Sequence, residues 1–308
     1  MHGLYAIELG VAVTPVVLGG IESLNVRTET EHIAEPTSGD IYPRHIAIVA
    51  QKPSADFTSY ALAQCLGSIG LTGLSIATLT NGGLNLYAQK QEDGGGRTAG
   101  AAHREYKMTK GIILPNRITC DHRGDALIAY DVRPTFDGTN DPFAVTDAHA
   151  LPTAPLDAER FTLGKVTIGS VAITKKRSLE LDFGITAPTE GTDSDIFDTH
   201  VSIQDIRPVL TLRGVDLEWL KAANIPLAGK AATHATTSVY LRKRLQTSAG
   251  FVLDATAQHI KLTMAGLCWI EDVFSAGGRG PTECSLKLAA VFDGTNAPVV
   301  INTASAIT

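Results

Sequence analysis

No stretch of this chain approaches the ~18 uninterrupted apolar residues of a membrane-crossing helix, so no transmembrane helix is expected. No basic segment followed by an apolar run opens the chain, so no signal peptide is expected. Cysteine is scarce: Cys65, Cys120, Cys268 and Cys284 stand apart, with no C-x-x-C pair. That spacing excludes a zinc ribbon and a thioredoxin motif and points to buried thiols in a reducing compartment. Aromatic residues make up only 6 % and are not clustered, which weakens a carbohydrate-binding surface. Long basic runs are also missing, and the formal net charge is −6, so the chain lacks the clustered cations that grip duplex phosphates. The strongest basic cluster, Arg242, Lys243 and Arg244, reads as a solvated strand or loop. Phosphate-loop, G-x-S-x-G, H-E-x-x-H and Rossmann signatures are all absent, so neither an enzyme site nor a cofactor is expected.

What is present is enough apolar material for real cores. Hydrophobic residues are 44 % and charged residues 19 % of 308 positions, a length that suits one large domain or two ordinary ones. The pentapeptide FDGTN occurs twice, at 136–140 and 292–296. The surrounding sequence repeats in step. His103, Met108 and Gly124 match His259, Met264 and Gly280 at the same spacing of 156, as do Leu71 and Gly73 with Leu227 and Gly229. Upstream, DIYPRHIAI at 40–48 matches DIFDTHVSI at 195–203, and VVLGGIESL at 16–24 resembles VTIGSVAIT at 166–174. The slow drift of the spacing fits small indels in surface loops. The chain therefore reads as a tandem duplication, with domains at 1–150 and 163–308 and a Pro- and Ala-containing linker at 151–162. Charge is uneven: 11 Lys and Arg face 16 Asp and Glu in 1–154, against 15 and 16 in 155–308.

Short alternating runs between Gly, Pro, Asn and Asp make each half β-rich. Strands are expected at 16–30, 44–50, 84–90, 103–113 and 126–133, and at 166–183, 199–206, 237–245, 257–269 and 283–291. One helix is expected per half. The first has Ser54 as N-cap and Phe57, Ala61, Leu62, Cys65 and Leu66 on one face, ending near Gly67; the second lies near 215–223. The expected fold is mainly β: two β-barrels or β-sandwiches in tandem, each with one flanking helix.

Repeated polar residues are the candidate site. Asp40 and His45 recur as Asp195 and His200, but residues five apart on a strand point to opposite faces. With Ile46 and Ile48 facing the core, His45 lies outside, as a surface or interface histidine. FDGTND invites comparison with a calcium loop, yet its Gly is second and Ala148 holds the twelfth position. Asp137-Gly138 and Asp293-Gly294 instead read as turns, with the Asp side chain bonding back to the backbone and Phe136 and Phe292 anchored on the core. CDHRGD at 120–125 aligns with AGGRGP at 276–281 and reads as a turn. Gly94, Gly95, Gly96 and Arg97 belong to a long hairpin tip.

Two alike β modules without a catalytic site can build a ring with pseudo-sixfold symmetry from three chains. At this point the sequence resembles the tail tube proteins of tailed bacteriophages, in particular the duplicated kind that forms trimers. The LGGIESLNV opening, the helix after the D-I-[YF]-x-x-H strand, and the hairpin closed by FDGTN carry the resemblance over nearly the whole chain, twice. It implies tube-domain barrels, inner strands continued around a ring, and rings stacked into a virion tail tube assembled in the host cytoplasm. It also implies partners: the chain itself, tape measure, terminator and sheath proteins, and DNA that passes without specific binding, with no membrane. The loop around Gly94–Arg97 and the termini would resemble inter-ring contacts. An acidic lumen would keep DNA sliding, whereas the Arg242–Arg244 cluster would face the neighbouring ring. Two rivals stand beside this: a baseplate hub or distal tail ring, and a duplicated β-barrel enzyme holding a metal through His103 and His259.

Overall fold

Period-two burial runs through the chain, and antiparallel sheets are the outcome in the computed structural model. The structure describes residues 2–10, 15–36, 38–76, 83–91, 103–153, 159–192, 195–214, 221–225, 233–246, 250–275 and 283–308. The first half carries β1 (His2–Leu9), β2 (Val16–Leu18), β3 (Ile21–Pro36), β4 (Pro43–Ser59), α1 (Leu62–Ile69) and β5 (Leu74–Ile76). It continues with β6 (Leu84–Lys90), β7 (His103–Met108), β8 (Gly111–Asp121), β9 (Leu127–Pro134) and β10 (Ala144–His149). The second half carries β11 (Phe161–Ile168), β12 (Val171–Ala172), β13 (Lys176–Asp182), β14 (Ile185–Thr186), β15 (Thr189–Glu190), β16 (His200–Val201) and β17 (Asp205–Ile206). It ends with β18 (Val209–Gly214), β19 (Thr233–Lys243), β20 (His259–Ser275), β21 (Glu283–Ala290) and β22 (Val299–Ser305).

A five-stranded sheet runs β10-β7-β6-β1-β2. A larger sheet runs β12-β11-β19-β20-β21-β18-β13-β8-β9-β4-β3, with β22 on β20 and β5 on β8. Strand β9 shows the logic of burial: Ile128, Tyr130, Val132 and Pro134 turn inward and the residues between them do not. Tyr130 stacks on the fully buried Phe57, ring centroids 5.0 Å apart. The main core draws on both halves, with Phe57, Leu62 and Leu86 from one and Phe161, Phe183 and Leu262 from the other.

No closed barrel forms among the described residues: the large sheet ends at β12 and at β3. The first helix is also shorter than expected. Ser54 and Phe57 lie in β4, where β3 pairs with both and β9 pairs with Phe57 on the other side, overriding the helical spacing. Helix α1 starts after Ala61 without a side-chain cap, and it buries Leu62, Cys65, Leu66 and Ile69. Gly67 sits inside it, and Gly70, at φ 76°, ends it. The second expected helix lies largely outside the described residues. Phe161 and Thr162, placed in the linker by sequence, are buried residues of β11. Strands β1, β10, β18 and β22 had no counterpart among the expected runs.

Gly111 and Gly266 show why two glycines must stay. A β-carbon on Gly266 would run into the Ala289 carbonyl oxygen, and one on Gly111 into that of Arg133. Gly266→Val should cost about 1–3 kcal/mol by overpacking, read as a lowered Tm in thermal unfolding. The four cysteines are buried and outside any disulfide. Burial pushes the thiols of Cys65 and Cys268 up to about 11 and that of Cys120 to about 12. Native protein at pH 8 should therefore leave a thiol reagent unconsumed, and all four thiols should react after denaturation.

Candidate assembly surfaces

The two halves meet through backbone. β13 pairs antiparallel with β8, with Ser178 opposite Asp121 and Asp182 opposite Arg117. Such edge pairing satisfies amides and carbonyls that would otherwise face water or a stranger's strand. The end of the sheet at β3 has no such partner among the described residues, where β3 pairs with β4 alone.

Beyond this seam residues 183–192 and 195–207 carry two short strand pairs, β14 with β17 and β15 with β16, and lie against the first half. The amide of Gln51 donates to the Ile196 carbonyl at 2.6 Å, and that of Phe136 to the Asp198 carbonyl at 2.8 Å. Lys110 Nζ donates to the carbonyls of Phe136, at 3.0 Å, and Thr199, at 2.9 Å. The Arg133 guanidinium donates to the Ala187 carbonyl. Phe197 covers Phe136, with ring centroids 6.1 Å apart. Beneath this cover Thr135 is 1 % exposed.

The first half has no equivalent cover of its own making. Residues 28–36 and 43–52 of β3 and β4 extend the hairpin past the body as a two-stranded arm. Ile46 and Ile48 were expected to face the core; they are exposed, on the part of the arm beyond Gln51, where it meets residues 196–197. Ile41 and Tyr42 at its tip are 86 % and 70 % exposed. His45 is exposed and lies in register with Glu35, while the Asp40 carboxylate is held by Arg44, not by His45. Asp195 and His200 are likewise exposed.

The two FDGTN turns share one geometry. Asp137 Oδ1 accepts from the amides of Thr139, at 2.8 Å, and Asn140, at 2.7 Å, while Oδ2 accepts from Asn140 Nδ2 at 3.0 Å. Asp293 does the same with Thr295, at 2.8 Å, and Asn296, at 2.6 Å and 2.9 Å. Gly138 and Gly294 take φ of 93° and 90°, the left-handed conformation that glycine allows. The expected anchoring of both phenylalanines does not follow. Phe136 is half-buried under Phe197, whereas Phe292 is 60 % exposed, with no cover from the described residues. Beside Phe292 lies an open groove lined by Met264, Ala265, Val291, Pro298 and Val300.

The remaining candidates resolve as structure. The buried His103 and His259 accept backbone amides at Nδ1, from Lys90 at 3.2 Å and Lys243 at 3.0 Å. His259 Nε2 also bonds the Leu253 carbonyl at 3.1 Å. The two nitrogens of His259 are thus engaged by backbone. The basic cluster is neutralised inside the chain: Arg242 meets Asp254 at 2.9 Å, Lys243 meets Glu159 at 2.7 Å and Arg244 meets Asp125 at 2.6 Å. Arg242 also stacks over Phe251, 4.6 Å from its centroid. Asp125 of the RGD tripeptide is that acid, on the turn between β8 and β9. Gly94, Gly95, Gly96 and Arg97 lie outside the described residues.

Compared with known proteins, the chain matches no protein-family model and no curated protein sequence.

Hydrogen bonds from Asn140 and Asn296 hold Asp137 and Asp293 at about 2, below the usual ~3.9. A depressed carboxyl stabilises the fold above its unfolded value and loses that contribution as pH falls through its folded value. Both turns should stay intact at pH 4 and loosen between about pH 3 and 2. Carboxyl-carbon NMR titration should show Asp137 and Asp293 titrating at about 2, and Asn140→Ala should raise Asp137 while leaving Asp293 unchanged.

Proposed function

We propose that this protein is the tube subunit of a bacteriophage tail, which polymerises as stacked rings and conducts DNA. The reading starts from tandem duplication. Pairing in the first half (β1 with β2 and β6, β6 with β7, β7 with β10, β8 with β9, β9 with β4, β4 with β3) has a counterpart for each pair in the second. Those counterparts are β11 with β12 and β19, β19 with β20, β20 with β22 and β21, β21 with β18, and β18 with β13. Strand β20 takes the place of β7 and β8 together, which part at Thr109 and Lys110. The glycine pair Gly111 and Gly266 and the imidazole pair His103 and His259 support the same correspondence through their matched contacts.

The observation that carries the reading is the β8–β13 seam. It joins two alike units head to tail, and it leaves the edge of β3, counterpart of β13, without a partner among the described residues. A head-to-tail contact that repeats generates a ring if its rotation closes. Three chains then present six alike units, and the sheet that is open in one chain becomes continuous around the channel. The mild acidity of the chain suits a conduit that repels phosphate.

Negative-stain microscopy of purified protein tests this. Rings or tubes with a central channel are expected. A monomer that persists at high protein concentration would overturn the reading.

A further inference from the structure

We propose that the β3–β4 arm of one copy seats on the second FDGTN turn of the next copy, with Tyr42 covering Phe292. The inference rests on the ring-forming reading above and names the surfaces that make the ring. Its template lies within the chain. Tyr42 is the sequence counterpart of Phe197, in DIYPRH against DIFDTH, and Phe292 is the counterpart of Phe136. Phe197 and Phe136 touch. Tyr42 and Phe292 do not find each other in one chain, and both are largely exposed.

Three further observations fit the same occupant. First, the position before each phenylalanine differs in the direction that an absent cover requires: Thr135 is 1 % exposed, whereas its counterpart Val291 is 51 % exposed. An exposed valine beside an exposed phenylalanine, joined by Leu267 and Val300 at 50 % and 46 %, makes an apolar patch of the kind that marks an interface. Second, the arm is apolar where it would be buried: Ile41, Tyr42, Ile46, Ile48 and Val49 are all exposed. A lone two-stranded ribbon is marginal in water and gains stability by packing on a partner. Third, continuity with the seam places both surfaces on one contact. The free edge of β3 at Ser23–Arg27 corresponds to Ser178–Asp182 of β13, which already bonds β8. The same neighbour that receives the arm would therefore extend the sheet from β3, by strand addition onto the end of β20.

The contact is heterologous: the arm of one copy meets the turn of another, and each copy offers both. That gives a test which no symmetric dimer can mimic. Tyr42→Asp spoils only the arm and Phe292→Asp only the turn, and both positions are solvent-exposed, so circular dichroism and Tm should match the unaltered protein. Each variant alone should sediment as a monomer and form no rings. Mixed in equal amounts, the Phe292→Asp arm still fits the Tyr42→Asp turn, and the mixture should form a discrete species of twice the monomer mass that grows no further. Should the unaltered protein form rings and either variant form them equally well, or should the mixture stay monomeric, the seating is wrong while the ring reading stands. Should the unaltered protein itself stay monomeric, both fall.

Discussion

Backbone hydrogen bonding along the β8–β13 seam is the constraint on which the rest of the molecule depends. Five residues of β13 lie in register with five of β8, and through them two sheets that could each have been a module become one. The core follows suit. Phe161 passes its carbonyl to the Ala126 amide at 2.7 Å and buries its ring beside residues of the first half. An edge strand satisfied in this way needs no guarding charges. An edge that is not satisfied, as at β3, must be guarded, covered or used. Here it runs on into an arm whose β3 strand carries Glu29, Glu31 and Glu35 and whose β4 strand exposes Ile46, Ile48 and Val49.

Much of the β architecture was legible from alternation alone. Strand β9 falls where period-two burial and turn residues place it, because its two faces have different surroundings, while β6 and β21, with runs of consecutive buried residues, fall where short apolar runs between turns place them. FDGTN was legible as a turn because Asp-Gly chemistry is local: the acceptor, the amides and the left-handed glycine lie within four residues. What alternation could not give was anything decided at a distance. Ser54 and Phe57 carry a helical spacing, yet β3 and β9 flank them and claim their backbone. Ile46 and Ile48 alternate like core residues and sit in an arm that has no core to face. The covers over Thr135 and the histidine Nδ1 acceptors join residues far apart in sequence.

The arms show how the same short pattern takes two forms. D-I-aromatic-x-x-H closes a free ribbon in one half and folds back over a neighbouring turn in the other. Local sequence does not choose between them. The choice comes from what stands next door: the second arm has the first half beside it, with Lys110 and Arg133 ready to donate to its carbonyls. The first arm meets its own chain at Gln51, and beyond that point Ile41, Tyr42, Ile46, Ile48 and Val49 stay exposed.

The contrast between Thr135 and Val291 carries a further consequence. A covalent tether holds the second arm beside its turn at an effective concentration far above that of free molecules in solution, so that contact can rest on a buried threonine and a few directed hydrogen bonds. A contact between separate chains has no tether and must meet the entropic cost of association from its own apolar surface. The valine, phenylalanine and isoleucines left bare on this molecule are the kind of surface that an untethered joint would need.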